Sequence, residues 1–271
     1  MSTFNQQNIL ITGGASGIGK IMGRIALEKG ARNLVIWDID QEAMNRTAKE
    51  FAHLGQVTTQ KVDVSQLDEI KIACLELEKE NLQINILINN AGIIVGGNFW
   101  QNSHEEIQKT MAINTAALMH LTREILPGMM DRKQGHIVNI SSAASLVANP
   151  KMSVYAASKW AVTAWSESLR LELEAVGSPV NVTTVTPSYI STGMFEGVKT
   201  HWIQPILEPE KTAQKIIKAV EKNKIIIRMP WSVYMTPFLK GILPVRWFDL
   251  VVGKWLKVYK SMDEFRGKKI L

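Results

Sequence analysis

Asn8-Ile9-Leu10-Ile11-Thr12-Gly13-Gly14-Ala15-Ser16-Gly17-Ile18-Gly19 is a short apolar run that breaks into a glycine-rich turn, and a helix-compatible stretch extends from it as far as Gly30. A strand that turns on glycines into a helix lets the backbone pass close to a pyrophosphate. The first turn of the helix then offers unpaired amides and the positive end of its dipole. Taken alone, such a turn is a weak signal; an acidic residue at the end of the next strand strengthens it. Residues 33–37 read as that second strand, and Asp38 ends it 19 residues after Gly19. A carboxylate there accepts hydrogen bonds from a ribose diol and repels a 2′-phosphate. Ile39, Asp40 and Ser16 supply no cation, so the expected dinucleotide is NAD rather than NADP. The plain alternative for Asp38 is a helix N-cap.

The same alternation continues along the chain. Strands are expected at 56–62, 84–88, 135–140, 179–185 and 224–227, with helices at 42–53, 65–80 (Ser65 as N-cap), 103–131 (Ser103 as cap, Pro127 near the end), 152–176 and 208–221. Most of these strands are continuous apolar runs, as expected when both faces are covered. Strands alternating with helices mean a parallel sheet with right-handed crossovers. The expected fold is therefore α/β: one dinucleotide-binding domain over 1–228, with seven parallel strands and helices on both faces, then a C-terminal extension over 229–271. Asp63 and Val64 come after the third strand, where Asp63 either meets an adenine amino group or caps a turn. Asn90, Ala91 and Gly92 come after the fourth, where small residues let a nucleotide ribose lie against the backbone. All of these sit at strand C-termini, where open α/β sheets bind ligands.

Composition narrows the class. The chain has 271 residues, 46% hydrophobic and 21% charged, with one cysteine, Cys74. That is ordinary globular composition and suits a reducing, cytoplasmic setting. Met1–Gln7 is polar and 8–12 is too short for a signal h-region or a membrane span. The net charge of +6 is uneven: residues 222–271 hold 11 Lys/Arg and 3 Asp/Glu, whereas 1–221 hold 20 and 22. A nearly neutral body argues against nucleic-acid binding and moves the basic character to the tail. The five histidines are scattered, so no metal site is expected. His136 and His120 read as structural.

Tyr155 and Lys159 are one helical turn apart, and Ser142 lies thirteen residues before the tyrosine. An ammonium beside a phenol favours phenolate and lowers the tyrosine pKa from roughly 10. A phenol so tuned exchanges a proton during carbonyl–alcohol interconversion, and Ser142 is placed to bond the same oxygen.

Thr12-Gly13-x-x-x-Gly17-Ile18-Gly19, Asn89-Asn90-Ala91-Gly92, Asn114 in Met111-Ala112-Ile113-Asn114, Ser142 and Tyr155-x-x-x-Lys159 together resemble the short-chain dehydrogenases/reductases in order and spacing over 8–192. The resemblance implies a Rossmann sheet and hydride transfer to or from a nicotinamide. Tyr155 would be the acid/base, Lys159 would lower its pKa and bind the nicotinamide ribose, and Ser142 would hold the substrate oxygen. Asn114 would kink its helix and hold a water in a relay through Lys159. In Pro187-Ser188-Tyr189-Ile190-Ser191-Thr192, Pro187, Ile190 and Thr192 would hold the carboxamide, although Ser188 replaces the family's glycine. Homodimers or homotetramers built on the helices at 103–131 and 152–176 are implied too. A narrower likeness, to the retinol and 17β-hydroxysteroid dehydrogenase group, rests on Val35-Ile36-Trp37-Asp38-Ile39, Leu207-Glu208-Pro209-Glu210, Ile225-Ile226-Ile227 and Ile242-Leu243-Pro244-Val245-Arg246-Trp247. It implies a retinoid, steroid or other lipid-like alcohol.

The loops after strands four, five and six are mainly apolar. Val95, Leu146, Val147, Met194, Phe195 and Trp202 are the substrate candidates beside Ser142, and His201 reads as solvated. An apolar pocket suits a hydrophobic alcohol or ketone. Residues 246–260 plot as one amphipathic helix with a broad aromatic face and a cationic face, expected to pack on the domain, on a second subunit or, over 245–260, on a membrane surface. Pro230, Pro237 and Pro244 exclude a continuous span through this region. The expected function is an NAD(H)-dependent oxidoreductase of a hydrophobic alcohol. The alternatives are a 3-oxoacyl-thioester reductase and a non-catalytic dinucleotide-binding scaffold.

Overall fold

The computed structural model describes residues 2–200, 202 and 204–266. Its frame is a seven-stranded sheet in the order β3-β2-β1-β4-β5-β6-β7, every neighbouring pair parallel. The strands are β1 (Asn8–Thr12), β2 (Asn33–Asp38), β3 (Gln56–Lys61), β4 (Ile86–Asn89), β5 (His136–Ile140), β6 (Asn181–Pro187) and β7 (Ile226–Met229). Sheet growth reverses direction between β1 and β4, which opens a crevice at their C-terminal ends.

Strand side chains alternate between two apolar layers, which is why the strands read as unbroken hydrophobic runs. Ile9 and Ile11 of β1 join one layer with Met22 of α1 (Gly17–Glu28) and Ile216 of α7 (Pro209–Glu221). Leu10 joins the other layer, which also holds Ile70 of α3 (Leu67–Lys79), Leu121 of α5 (Ala117–Asp131) and Leu169 of α6 (Ser153–Ala175). The remaining body helices are α2 (Gln41–Phe51) and α4 (His104–Met111), the latter opened by a reciprocal Ser103–Glu106 capping box.

Several local expectations are corrected. The N-cap of α3 is Gln66, not Ser65, whose amide instead donates to Asp63 Oδ1 at 2.9 Å. The long helix expected over 103–131 is interrupted by a π-helical segment, Ala112–Ala116. His120 faces solvent rather than the core, whereas His136 is buried at the start of β5.

The tail departs furthest from expectation. After β7 come α8 (Ser232–Ile242), with Pro237 inside it, and α9 (Val245–Phe248), which runs into a π-helical stretch, Asp249–Trp255. Lys257 then adopts φ 54° and ends the helix, so 246–260 is not one continuous amphipathic helix. Phe248 and Val252 are buried while Trp247 and Trp255 are exposed. The apolar residues that a single wheel places together therefore divide between an inner and an outer face.

Candidate active site

The crevice begins at the turn after β1. Gly13 (φ 63°) and Gly17 (φ 53°) occupy left-handed backbone that favours glycine. A Cβ on Gly19 would lie 2.4 Å from the Gly13 carbonyl oxygen, so no side chain fits there. Buried Ile18 anchors α1, and Ser16 precedes it without a side-chain cap and with no acidic residue in the first turn. That helix end leaves its first-turn amides and the positive end of its dipole uncapped by any side chain. Asp38 is not the cap of α2: Asp40 is, accepting from Ala43 N at 2.9 Å. Asp38 instead reaches back to the turn, where its Oδ2 accepts from Ala15 N at 3.1 Å, and Ile39 beside it is exposed. Asp63 holds the Asx turn with Ser65, and Val64 is buried next to it.

Asn90 staples the frame. Its amide donates to the carbonyls of Thr12 (3.0 Å) and Gly13 (3.1 Å), and Thr12 Oγ1 accepts from the amides of Asn90 and Ala91. Its side chain is thus committed to shaping the turn. At Gly92, a Cβ would lie 3.3 Å from Asn114 Oδ1 and 3.6 Å from Lys159 Nζ, so the missing side chain lets both groups reach the same spot. On the opposite side, Thr192 packs against Gly17. Ile190 bridges to Leu207, beyond the end of β6 at Pro187. Ser188, in the family's glycine position, keeps negative φ; its amide donates to Met229 O at 2.7 Å, and its hydroxyl accepts from Gln204 Nε2 at 2.8 Å. The serine fits because this loop continues the strand path instead of turning left-handed.

Asn114 sits in the π segment, with its side-chain amide wholly engaged. Oδ1 accepts from Ile93 N (2.8 Å), and Nδ2 donates to Ile93 O (2.9 Å) and Ser158 Oγ (3.1 Å). It clamps the loop after β4 to α6. Lys159 is buried and donates to Ile140 O at 2.9 Å, while burial lowers its pKa to about 8. Tyr155 is buried on the preceding turn, its ring centre 5.9 Å from Lys159 Nζ. Contrary to the sequence expectation, its phenol is pushed up to about 12. Burial is the largest cause, and the neighbouring Ser142 side chain pulls weakly the other way. Ser142 Oγ accepts from Ala144 N at 3.1 Å, and Ser141 Oγ ties β5 to α6 through Lys159 O at 2.9 Å.

Beside Ser142 opens a cavity of about 250 Å³ with mostly apolar walls. Of the substrate candidates, Ser142, Val147 and Phe195 line it. Val95, Leu146, Met194 and Trp202 do not: Trp202 and Met194 are turned outward, and the Leu146 carbonyl receives Lys240 Nζ at 3.3 Å. Val95 is half-buried in the loop after β4, away from the cavity. His201 lies outside the described residues. Sequence reasoning missed Met152, Asn149 and Tyr189, and above all the tail, whose Leu239, Phe248, Val252 and Leu256 form an entire wall. The available signal was the dense apolar spacing over 233–256.

A final segment closes the other side. Tyr189 Oη hydrogen-bonds Ser261 Oγ at 2.8 Å, and Arg266 N donates to Glu196 O at 2.9 Å. Phe265 occupies the space where a Cβ on Gly96 would stand. Ion pairs Lys151–Asp263 (2.7 Å) and Lys199–Glu264 pin the strap down. Beneath it, Phe195 stands edge-on to Tyr155, with ring centres 6.1 Å apart at 83°.

A glycine-rich turn feeding an open helix end, with a buried Ser–Tyr–Lys set across the crevice, defines a dinucleotide-dependent dehydrogenase site. Residues 7–202 match the family model described as short chain dehydrogenase. Over 266 residues, the sequence is 35% identical to epidermal retinol dehydrogenase 2 of Mus musculus, covering 96% of this chain and 85% of that protein. It is 32% identical to estradiol 17-beta-dehydrogenase 11 of Rattus norvegicus, covering 90% and 82%. The chain belongs to the short-chain dehydrogenase family and is an oxidoreductase acting on CH–OH groups. A short-chain dehydrogenase/reductase from Burkholderia phymatum in complex with NAD shares the fold, with a TM-score of 0.80 over all of this chain and 99% of that one at 24% identity. A metagenomic short-chain oxidoreductase in complex with NADP has a TM-score of 0.71 at 26% identity, covering 84% and 97%. The family fold thus holds a nicotinamide dinucleotide of either kind.

Proposed function

We propose that this enzyme interconverts a hydrophobic alcohol and its ketone or aldehyde with NAD(H). The observation that carries this reading is the apolar cavity that ends at Ser142 beside Tyr155. Its apolar lining suits a retinoid, steroid or other lipid-like substrate, in line with the names of the two relatives above.

The residues present fit the dinucleotide. The uncapped α1 end takes the pyrophosphate, and Asp38, held against the turn by Ala15 N, takes the ribose diol and disfavours a 2′-phosphate. Gly13, Gly17, Gly19, Ala91 and Gly92 keep the path clear, and Pro187, Ile190 and Thr192 border the nicotinamide end. When bound, the nicotinamide accepts or supplies the hydride. Ser142 holds the substrate oxygen. In reduction, Tyr155 Oη donates the proton that this oxygen gains; in oxidation it takes the proton back. Lys159 supplies a buried positive charge beneath the phenol, and Asn114 holds the π segment against Ile93 and Ser158. A homodimer or homotetramer built on the helices at 103–131 and 152–176 completes the proposed assembly.

The test is an NAD⁺-coupled screen of retinoid, steroid and fatty alcohols, repeated with NADP⁺, and with NADH on an acyl thioester. The expected result is turnover of an apolar alcohol, faster with NAD⁺ than with NADP⁺. A preference for the thioester or for NADP⁺ would contradict the reading. Tyr155→Phe should lower turnover by about 10²–10⁴-fold on whichever substrate is found; near-full activity in that variant would sink the assignment.

A further inference from the structure

We propose that the outward face of α8 and α9 docks on an anionic lipid bilayer, and that substrate enters the cavity through that face. Trp231 and Met235 line the cavity yet remain 71% and 43% exposed, so they mark its mouth. Around that mouth, Phe238, Ile242, Val245 and Trp247 also face solvent and contribute nothing to the cavity wall. Large apolar side chains concentrated in this way form an interaction surface rather than scattered exposure.

The charges select the occupant. Across residues 231–260, Arg246, Lys254, Lys257 and Lys260 stand against a single acidic residue, Asp249, while Lys240 turns its ammonium to the body at the Leu146 carbonyl. That carboxylate is engaged by Tyr259 Oη at 2.7 Å and by Arg246 at 3.7 Å. Tryptophans among cations, with the lone carboxylate paired, match the headgroup boundary of an anionic membrane. Among the described residues no helix is long and apolar enough to span a bilayer, so the contact is interfacial. The strap at 258–266 packs over the Gly96 and Tyr189 side of the site, whereas the α8 side carries the exposed cavity-lining residues Trp231 and Met235. The entry route rests on the cavity being the substrate site; the docking surface does not.

The test is flotation of the full chain with vesicles of phosphatidylcholine, with and without about 30% phosphatidylserine. Wild type should float with the anionic vesicles and be released by salt. Phe238→Glu combined with Trp247→Glu, both outside the cavity, should cut the bound fraction at least tenfold with unchanged melting temperature. The same variant should turn over a water-soluble alcohol normally and a vesicle-dissolved one at least tenfold more slowly. Wild type that stays down, or a variant that floats equally, overturns the docking. Equal rates from vesicles overturn the entry route. Light scattering covers the other occupant: a wild-type dimer that the variant converts to monomer, with neither floating, assigns the face to a second copy and overturns the proposal. Flotation needs no turnover, so a failed alcohol screen leaves it standing.

Discussion

The Lys159 ammonium donates to the Ile140 carbonyl at 2.9 Å and stands 5.9 Å from the centre of the Tyr155 ring. One of its N–H groups is committed to the backbone, and burial carries the phenol up to about 12. At neutral pH Tyr155 is therefore protonated, ready to give a proton and poorly able to take one. Alcohol oxidation should rise by about tenfold from pH 7 to 8 and less steeply above that, as Lys159 loses its charge near 8, while carbonyl reduction stays nearly flat. Initial rates in both directions across that range check this; an oxidation rate already level at pH 7 would mean that the phenol ionises far lower during turnover.

Asn114→Ala removes three hydrogen bonds that tie Ile93 and Ser158 to the π segment. Stripping partners from buried polar groups costs about 1–3 kcal/mol each. We expect Tm to fall by at least about 6 °C, alongside any loss of rate. A large rate loss at unchanged Tm would mean that the residue acts on protons and not on architecture.

Leu239→Trp narrows the cavity from the tail side without touching Ser142, Tyr155 or Lys159. Bulky alcohols should lose about tenfold or more in kcat/KM while short ones change little, the usual scale for a reshaped apolar pocket. Equal losses for both sizes would remove this wall from substrate selection.

His136 is buried between Ser2 and Thr183, and burial lowers its pKa to about 4 from an ordinary 6.5. The folded state resists a proton that the unfolded chain accepts. Stability is therefore full above about pH 6.5 and declines as pH falls toward 4, by about 2 kcal/mol at pH 5. Urea midpoints at pH 7 and pH 5 should show this slope in wild type and a shallower one in His136→Asn. Parallel slopes would assign the acid sensitivity to other groups.

The sheet and the cofactor edge were legible because their signals are local. Ile9, Leu10 and Ile11 read as a strand covered on both faces, and the spacing of Gly13, Gly17 and Gly19 needs no distant partner to be recognised. Tyr155 and Lys159 were legible as a helical pair. The direction of the Tyr155 shift was not, since it depends on Phe195 and the strap closing over the ring. The tail was the least legible part. A wheel assumes 100° per residue, but the π-helical stretch Asp249–Trp255 and the left-handed Lys257 break that rule. Phe248 and Val252 thereby turn inward while Trp247 and Trp255 turn out. Trp202 and Met194 looked like pocket residues because they lie in the right loop, yet only Phe195 of that trio turns inward.

The strap that bonds Tyr189 through Ser261 and grips Glu196 through Arg266 belongs to the same terminal stretch as the outer cavity wall. Much of what shapes the substrate's surroundings beyond Ser142 is thus concentrated in residues 231–266, after the hydride machinery in chain order. An exchange of that one contiguous segment between relatives would carry a new substrate preference onto an old reaction, leaving the redox half of the enzyme untouched.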